Sequence, residues 1–188
     1  MSNLFDFQDG EGPVPAHKHP NGGGWVADTA YVSKTAFVGP NARVFGNAQV
    51  YDKAQVCDNA RVFYNAWVFE DAWASGNAVV RGNAVVRDNA RASGNAVVRG
   101  NALVSDDALI SGNAWVFGNA QVFGNALVCD DARVYDDAWV SGNAQVFGNA
   151  KVFGNAKVFG DAQVFGNALV FGDANVFGDD MIEEQMNV

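Results

Sequence analysis

Two threonines, two cysteines and two histidines are all that a chain of 188 residues contains, and each scarcity closes off a class of function. Thr29 and Thr35 are too few for a flat threonine array of the ice-binding kind. Two histidines cannot supply the three imidazoles of a tris-histidine zinc centre. Basic charge is also scarce: 12 Lys and Arg stand against 21 Asp and Glu, for a net charge of −9 and a pI near 4.4. Such a surface argues against a nucleic-acid backbone or an anionic membrane as partner. No apolar run approaches the roughly 18 residues of a membrane helix. The start, MSNLFDFQDG, is polar and acidic where a secretory signal would be basic and then apolar, so the expected location is cytoplasmic. Gly-x-Ser-x-Gly, Cys-x-x-Cys and phosphate-loop motifs are missing.

What the chain does contain is a period. Alanine stands at every sixth position from Ala30 to Ala174 without a miss. Two residues after each alanine comes an aliphatic, up to Val176, and Val26 begins the same series one period earlier, with Ala74, Ala92 and Ile110 as the departures from valine. Asn or Asp mostly precedes the alanine, and Gly or Asp precedes that, so the unit is Gly-Asn-Ala-x-Val-z. Six does not fit helical rows at 3.6. In a strand, residues two apart share a face, so Ala and Val point one way and x and z the other. The x positions include Arg43, Arg61, Arg91, Arg133, Lys151 and Lys157, which belong in water. Ala and Val therefore form the interior of a three-residue strand, Ala-x-Val, and Gly-Asn turns the corner at low steric cost. A strand and a corner repeated on a constant small core residue predict a β-solenoid.

This unit resembles the hexapeptide repeat of the left-handed parallel β-helix family, and the likeness covers residues 25 to about 180. The stretch GGGWVADTAYVS, followed by PNARVFGNAQV, resembles bacterial and prophage hexapeptide-repeat proteins. The resemblance implies an all-β, single-stranded left-handed parallel β-helix, a triangular β-solenoid with 18 residues per coil and about eight coils. Three parts are expected: a non-repetitive N-terminal cap or loop (1–24), the repeat (25–180) and a C-terminal cap or tail (181–188). Many members of the family are trimeric acyltransferases that use acyl-CoA and a histidine base, typically beside an extruded loop. Here the frame from 25 to 178 admits no insertion and neither histidine lies within it. The reading leans away from an enzyme and expects no cofactor. It favours a structural or interaction rod, phage-encoded in one version, acting on a protein partner or on itself as monomer or side-by-side homotrimer. The alternative is a trimeric acyltransferase-like protein with a degenerate acyl-CoA site.

With 18 residues per coil, several columns follow. Ala74 and Ala92 narrow one wall in adjacent layers, below Ile110. Cys57 and Cys129 fall four layers apart in one column, roughly 19 Å at 4.8 Å per layer, which is too far for a disulfide. Asp52, Glu70, Asp88 and Asp106 stack along one corner beside Arg87, as a solvated turn column or as a cation site. The z positions carry Phe45, Phe63, Phe69, Phe117, Phe123 and every residue of the series Phe147 to Phe177, with Tyr51 and Tyr135. Rings on all three faces favour ladders of stacked neighbours over one flat interface.

Between 79 and 110 the outward positions change. Val79, Val85, Val97, Leu103 and Leu109 are flanked by Arg81, Arg87 and Arg99, and Trp67, Trp73, Trp115 and Trp139 lie close by on x positions. An apolar stripe with an arginine rim and tryptophans is a candidate partner interface; the alternative is that outward β-branched residues merely suit a strand. At the ends, DGEGPVPAHKHPNGGG reads as loop. Phe5, Phe7 and Trp25 are expected to plug the first coil, and Met181, Ile182 and Met186 the last. His17 and His19 would share a side of an extended segment, a weak metal-binding candidate or a plain surface loop.

Overall fold

The computed structural model describes residues 3–187, with side chains as far as residue 184. Those residues form strands, turns and bends, without a helix. Twenty-seven strands follow one another at six-residue intervals from Trp25–Ala27 to Met181–Ile182. Up to Gln163–Val164 each pairs in parallel with the strand eighteen residues on, so that Trp67 lies against Val85, Val85 against Leu103 and Leu103 against Gln121. The strands fall into three parallel walls. The first begins Trp25–Ala27, Arg43–Val44, Arg61–Tyr64; the second Tyr31–Val32, Gln49–Val50, Trp67–Val68; the third Phe37–Val38, Gln55–Val56, Trp73–Ala74. The molecule is a β-solenoid of nine coils, one more than the alanine count suggests. Its first and last hexads carry Gly24 and Asp180 where the alanine would stand, yet both still pair.

Most strands are two residues long, the x residue and the valine. The alanine drops out of the expected three because its N–H turns back into the corner. Ala54 N donates to Tyr51 O at 3.1 Å and Ala90 N to Arg87 O at 3.2 Å. Its carbonyl still serves the ladder, as when Val85 N donates to Ala102 O at 2.9 Å. Inside the prism every Ala and Val from Ala36 to Val176, with Ala74, Ala92 and Ile110, is fully buried. One buried valine is worth roughly 2 kcal/mol of apolar transfer. Ala74, Ala92 and Ile110 are successive partners on the third wall.

The corners carry two further ladders. Asparagine side chains pass one hydrogen bond from coil to coil, from Asn47 through Asn65, Asn83, Asn101 and Asn119 to Asp137. The run stops at Asp137, since an ionised carboxylate accepts but cannot donate onward. Beside it sits the residue with left-handed φ, usually Gly. Where it is acidic, the carboxylate accepts the backbone N–H of its counterpart one coil on. Glu70 N reaches Asp52 Oδ2 at 3.3 Å, Asp88 N reaches Glu70 Oε2 at 2.8 Å, Asp106 N reaches Asp88 Oδ2 at 3.1 Å and Gly124 N reaches Asp106 Oδ2 at 2.9 Å. This is the carboxylate column of the sequence, and its oxygens serve the turns. Asp106→Ala should lower stability by about 1 kcal/mol, and Asp106→Asn by less, because the amide oxygen can still accept; urea midpoints check both.

The N-terminal segment is more ordered than a loop. Strand β1 (Asn3–Phe5) pairs antiparallel with β2 (Val14–Lys18), which pairs antiparallel with β3 (Trp25–Ala27) and so extends the first wall. Residues 21–24 cover the edge of the third wall: Gly24 N donates to Val38 O at 2.9 Å and Val38 N to Asn21 O at 3.0 Å. A Cβ on Gly24 would lie 2.3 Å from Gly39 O, so only glycine permits this approach. Phe5, Phe7 and Trp25 do not plug the prism. Trp25 occupies an outward x position, Phe5 stacks on it at 4.2 Å, and Phe7 is buried outside the wall against Phe45 at 4.8 Å. These rings join Ala16, Ala27 and Phe63 in a second, external core. At the other end Ile182 packs against the main core, while Met181 is exposed; the side chain of Met186 lies outside the described residues. Gln185–Asn187 adds a last strand beside Leu169–Phe171.

Candidate functional site

Every x side chain points out of the prism, so its position along the chain decides which wall shows it. Val79 and Val97 adjoin on the first wall, between Arg61 and Trp115. Val85 and Leu103 adjoin on the second wall, with Trp67 before them and Gln121 and Trp139 after. Leu109 lies on the third wall between Arg91 and Leu127, and Trp73 precedes Arg91. The candidate interface is therefore divided among three walls. One coil, holding Val97, Leu103 and Leu109, shows an apolar side chain on each of them, so the apolar residues form a belt around the rod.

Two of the three rim arginines are engaged. Arg99 lies over the rings of Phe117 and Trp115 at 4.7 and 5.5 Å. Arg87 meets Asp88 at 3.2 Å. Arg81 stands one coil before Arg99 in the same corner column. The four tryptophans are 37–42% exposed, and three have a cation from the next coil over the ring: Arg91 on Trp73 at 5.2 Å, Arg133 on Trp115 at 5.6 Å and Lys157 on Trp139 at 5.4 Å. Such contacts are worth about 0.5–1 kcal/mol at exposed sites. The signal was legible, since each cation follows its tryptophan by eighteen residues. Trp67 meets Tyr51 and Phe69 edge-on.

The outward phenylalanines form ladders. Phe117, Tyr135, Phe153 and Phe171 stack in turn at 4.9, 4.9 and 5.2 Å, with planes within 10° of parallel. Phe147 stacks on Phe165 at 5.3 Å and Phe159 on Phe177 at 5.6 Å on the other corners. The rings of the first two columns are partly buried in this way, as part of the rod's own packing, whereas Phe159 and Phe177 stay exposed.

The histidines occupy different surroundings. His17 is exposed and its Nδ1 lies 2.8 Å from Asp28 Oδ1, whereas His19 is buried with Nδ1 between Asn21 O at 3.1 Å and Asn21 N at 3.3 Å. Among the described residues no group of three or more His, Cys, Asp or Glu side chains is arranged to hold a metal.

Cys57 and Cys129 are free thiols, both partly buried, in one corner column four pairing steps apart. Burial raises the pKa of each, reinforced by Asp58 beside Cys57 and Asp130 beside Cys129. The thiolate is the reactive form, so iodoacetamide near pH 8 should modify the folded chain more slowly than the urea-unfolded chain. Equal rates would contradict the shielding.

A family model described as YdcK β-solenoid repeat matches residues 54–70, 128–142 and 162–177. The chain is similar to that repeat in these three stretches. Each is close to one coil long and contains the buried Ala and Val columns. No curated protein matches the chain.

Proposed function

We propose that the chain acts by contact, as a rigid structural or interaction rod that presents its walls to a protein partner or to other copies of itself in the cytoplasm. One observation carries this reading: the belt of Val97, Leu103 and Leu109, bordered by Val79, Val85 and the tryptophans. Outward apolar residues gathered at one height are what a contact surface requires. The two-residue strands and their ladders hold that belt on a fixed frame, so little ordering entropy opposes binding. A phage-borne particle component would use a rod in the same way.

The test compares wild type with Val97→Glu/Leu103→Glu/Leu109→Glu. These positions face out, so circular dichroism should keep the solenoid signature. Sedimentation velocity across a concentration series, and capture from host extract, should show an association in wild type that the variant loses. An unchanged profile in both experiments would overturn the reading. A clear rise in melting temperature with acetyl-CoA would point instead to the acyltransferase-like alternative.

A further inference from the structure

A strap of residues 5–9 leaves β1 and crosses the outer side of the first wall near its start. Its geometry is fixed from the wall. Phe7 O accepts Arg43 Nη1 at 3.1 Å and Arg61 Nη2 at 3.0 Å, and Gln8, held in the left-handed region at φ 58°, accepts Arg43 Nη1 on its Oε1 at 3.0 Å. Strap, β2 and wall enclose a groove of about 560 Å³, lined in part by Lys18, Arg43, Arg61, Gln8, Phe5 and Trp25. No carboxylate lines it, although Asp9 at the end of the strap acts on Arg61 from outside the groove. Three cations thus meet in one place on a chain of net charge −9.

Two features make this groove more than a charged patch. The cations are not held in ion pairs: those among the described residues are His17 with Asp28 and Arg87 with Asp88, and neither involves Lys18, Arg43 or Arg61. Arg43 and Arg61 also stand directly opposite each other on neighbouring strands, where like charges oppose pairing. Their positions are set in advance as well. Lys18 Nζ lies over Trp25 at 4.6 Å, Arg43 over Phe5 at 5.5 Å and Arg61 over Phe45 at 5.2 Å. Two guanidinium groups share one carbonyl and leave further N–H donors for a ligand, and such donors favour phosphate and carboxylate. The volume suits a small organic molecule.

We infer that this groove binds a small organic anion, a phosphate ester or carboxylate whose charged end lies between Arg43, Arg61 and Lys18 and whose body rests along the edges of Phe5 and Trp25. Binding there goes beyond contact by the belt, whose first-wall member Val97 lies two pairing steps past Arg61.

The test is an NMR titration of the full chain with phenyl phosphate, with inorganic phosphate and phenol as companions. Trp25 is the one tryptophan in the groove, and Trp67, Trp73, Trp115 and Trp139 are internal controls. The Trp25 indole N–H should shift saturably with phenyl phosphate, weakly with inorganic phosphate and not with phenol, while the other four stay still. Raising salt should weaken the binding. Arg61→Gln should weaken it about tenfold. Lys18→Gln, which removes no strap bond, should weaken it severalfold with the strap in place. No saturable Trp25 shift up to about 20 mM, equal movement of all five indoles, or wild-type affinity in Lys18→Gln would overturn the inference.

Discussion

Ile110→Ala is expected to cost about 3–4 kcal/mol, more than truncating a neighbouring valine. The side chain is fully buried, and losses of about 2–5 kcal/mol are usual for Ile→Ala in a core. Position raises the cost here. Ala74 and Ala92 lie in the two preceding layers of the same wall, so the substitution would leave three consecutive inward positions of that wall without a branched side chain. The ladders on either side hold the walls apart and limit collapse into the gap, which is the condition under which a cavity costs most. Val128→Ala, one layer further on, opens a smaller gap. Urea denaturation of both variants measures the difference. Adding Ala92→Val to Ile110→Ala should recover part of the loss, because the two positions are paired neighbours. Equal costs for Ile110→Ala and Val128→Ala would mean that Ile110 fills no shared space.

A second large effect is expected at the corners, where Gly112→Val should cost about 2–3 kcal/mol and Gly112→Asp under about 1 kcal/mol. Gly112 has φ 65°, and a Cβ there would sit 2.7 Å from Asp130 N. For most residues the left-handed region costs about 1–2 kcal/mol, and a β-branched side chain adds crowding. Aspartate is different in this fold. Asp52, Asp58, Asp88, Asp106, Asp130 and Asp136 already occupy equivalent corners at φ 54–60°. Carboxylates at these corners accept the N–H one coil on, as Asp58 Oδ2 does from Gly76 N at 2.9 Å. That bond offsets the strain. Thermal melts of the two variants decide the point: equal losses would show that the carboxylate bond contributes nothing.

These two expectations also show what was legible in the sequence. The Ala and Val columns carried the period, the inward face and the eighteen-residue stacking, because burial repeats wherever the backbone repeats. The pairing of Ala74 with Ala92 and the separation of the cysteines followed from the same count. The ends were not legible in this way. DGEGPVPAHKHPNGGG has the composition of a loop, yet Val14–Lys18 within it is a strand, since its antiparallel partners come from β1 and β3 and local composition does not encode them. Phe5 and Phe7 look like plugs by hydrophobicity alone. They lie outside because Arg43 and Arg61 anchor the Phe7 carbonyl on the outer face. The carboxylate column was visible as a spacing, but its role depends on a backbone N–H exposed by a left-handed turn. The interface candidates read as one stripe along the chain and become a belt in space, because successive hexads occupy successive walls.

Residue stacking at a spacing of eighteen underlies each of these statements, and the native thiols measure it without mutation. Spin labels on Cys57 and Cys129, attached at alkaline pH where the thiolates form, should give one narrow distance distribution by double electron–electron resonance. It should centre near the roughly 19 Å of four strand layers, broadened by the label linkers. Several separate peaks, or a centre beyond about 35 Å, would mean that the coils do not stack as described.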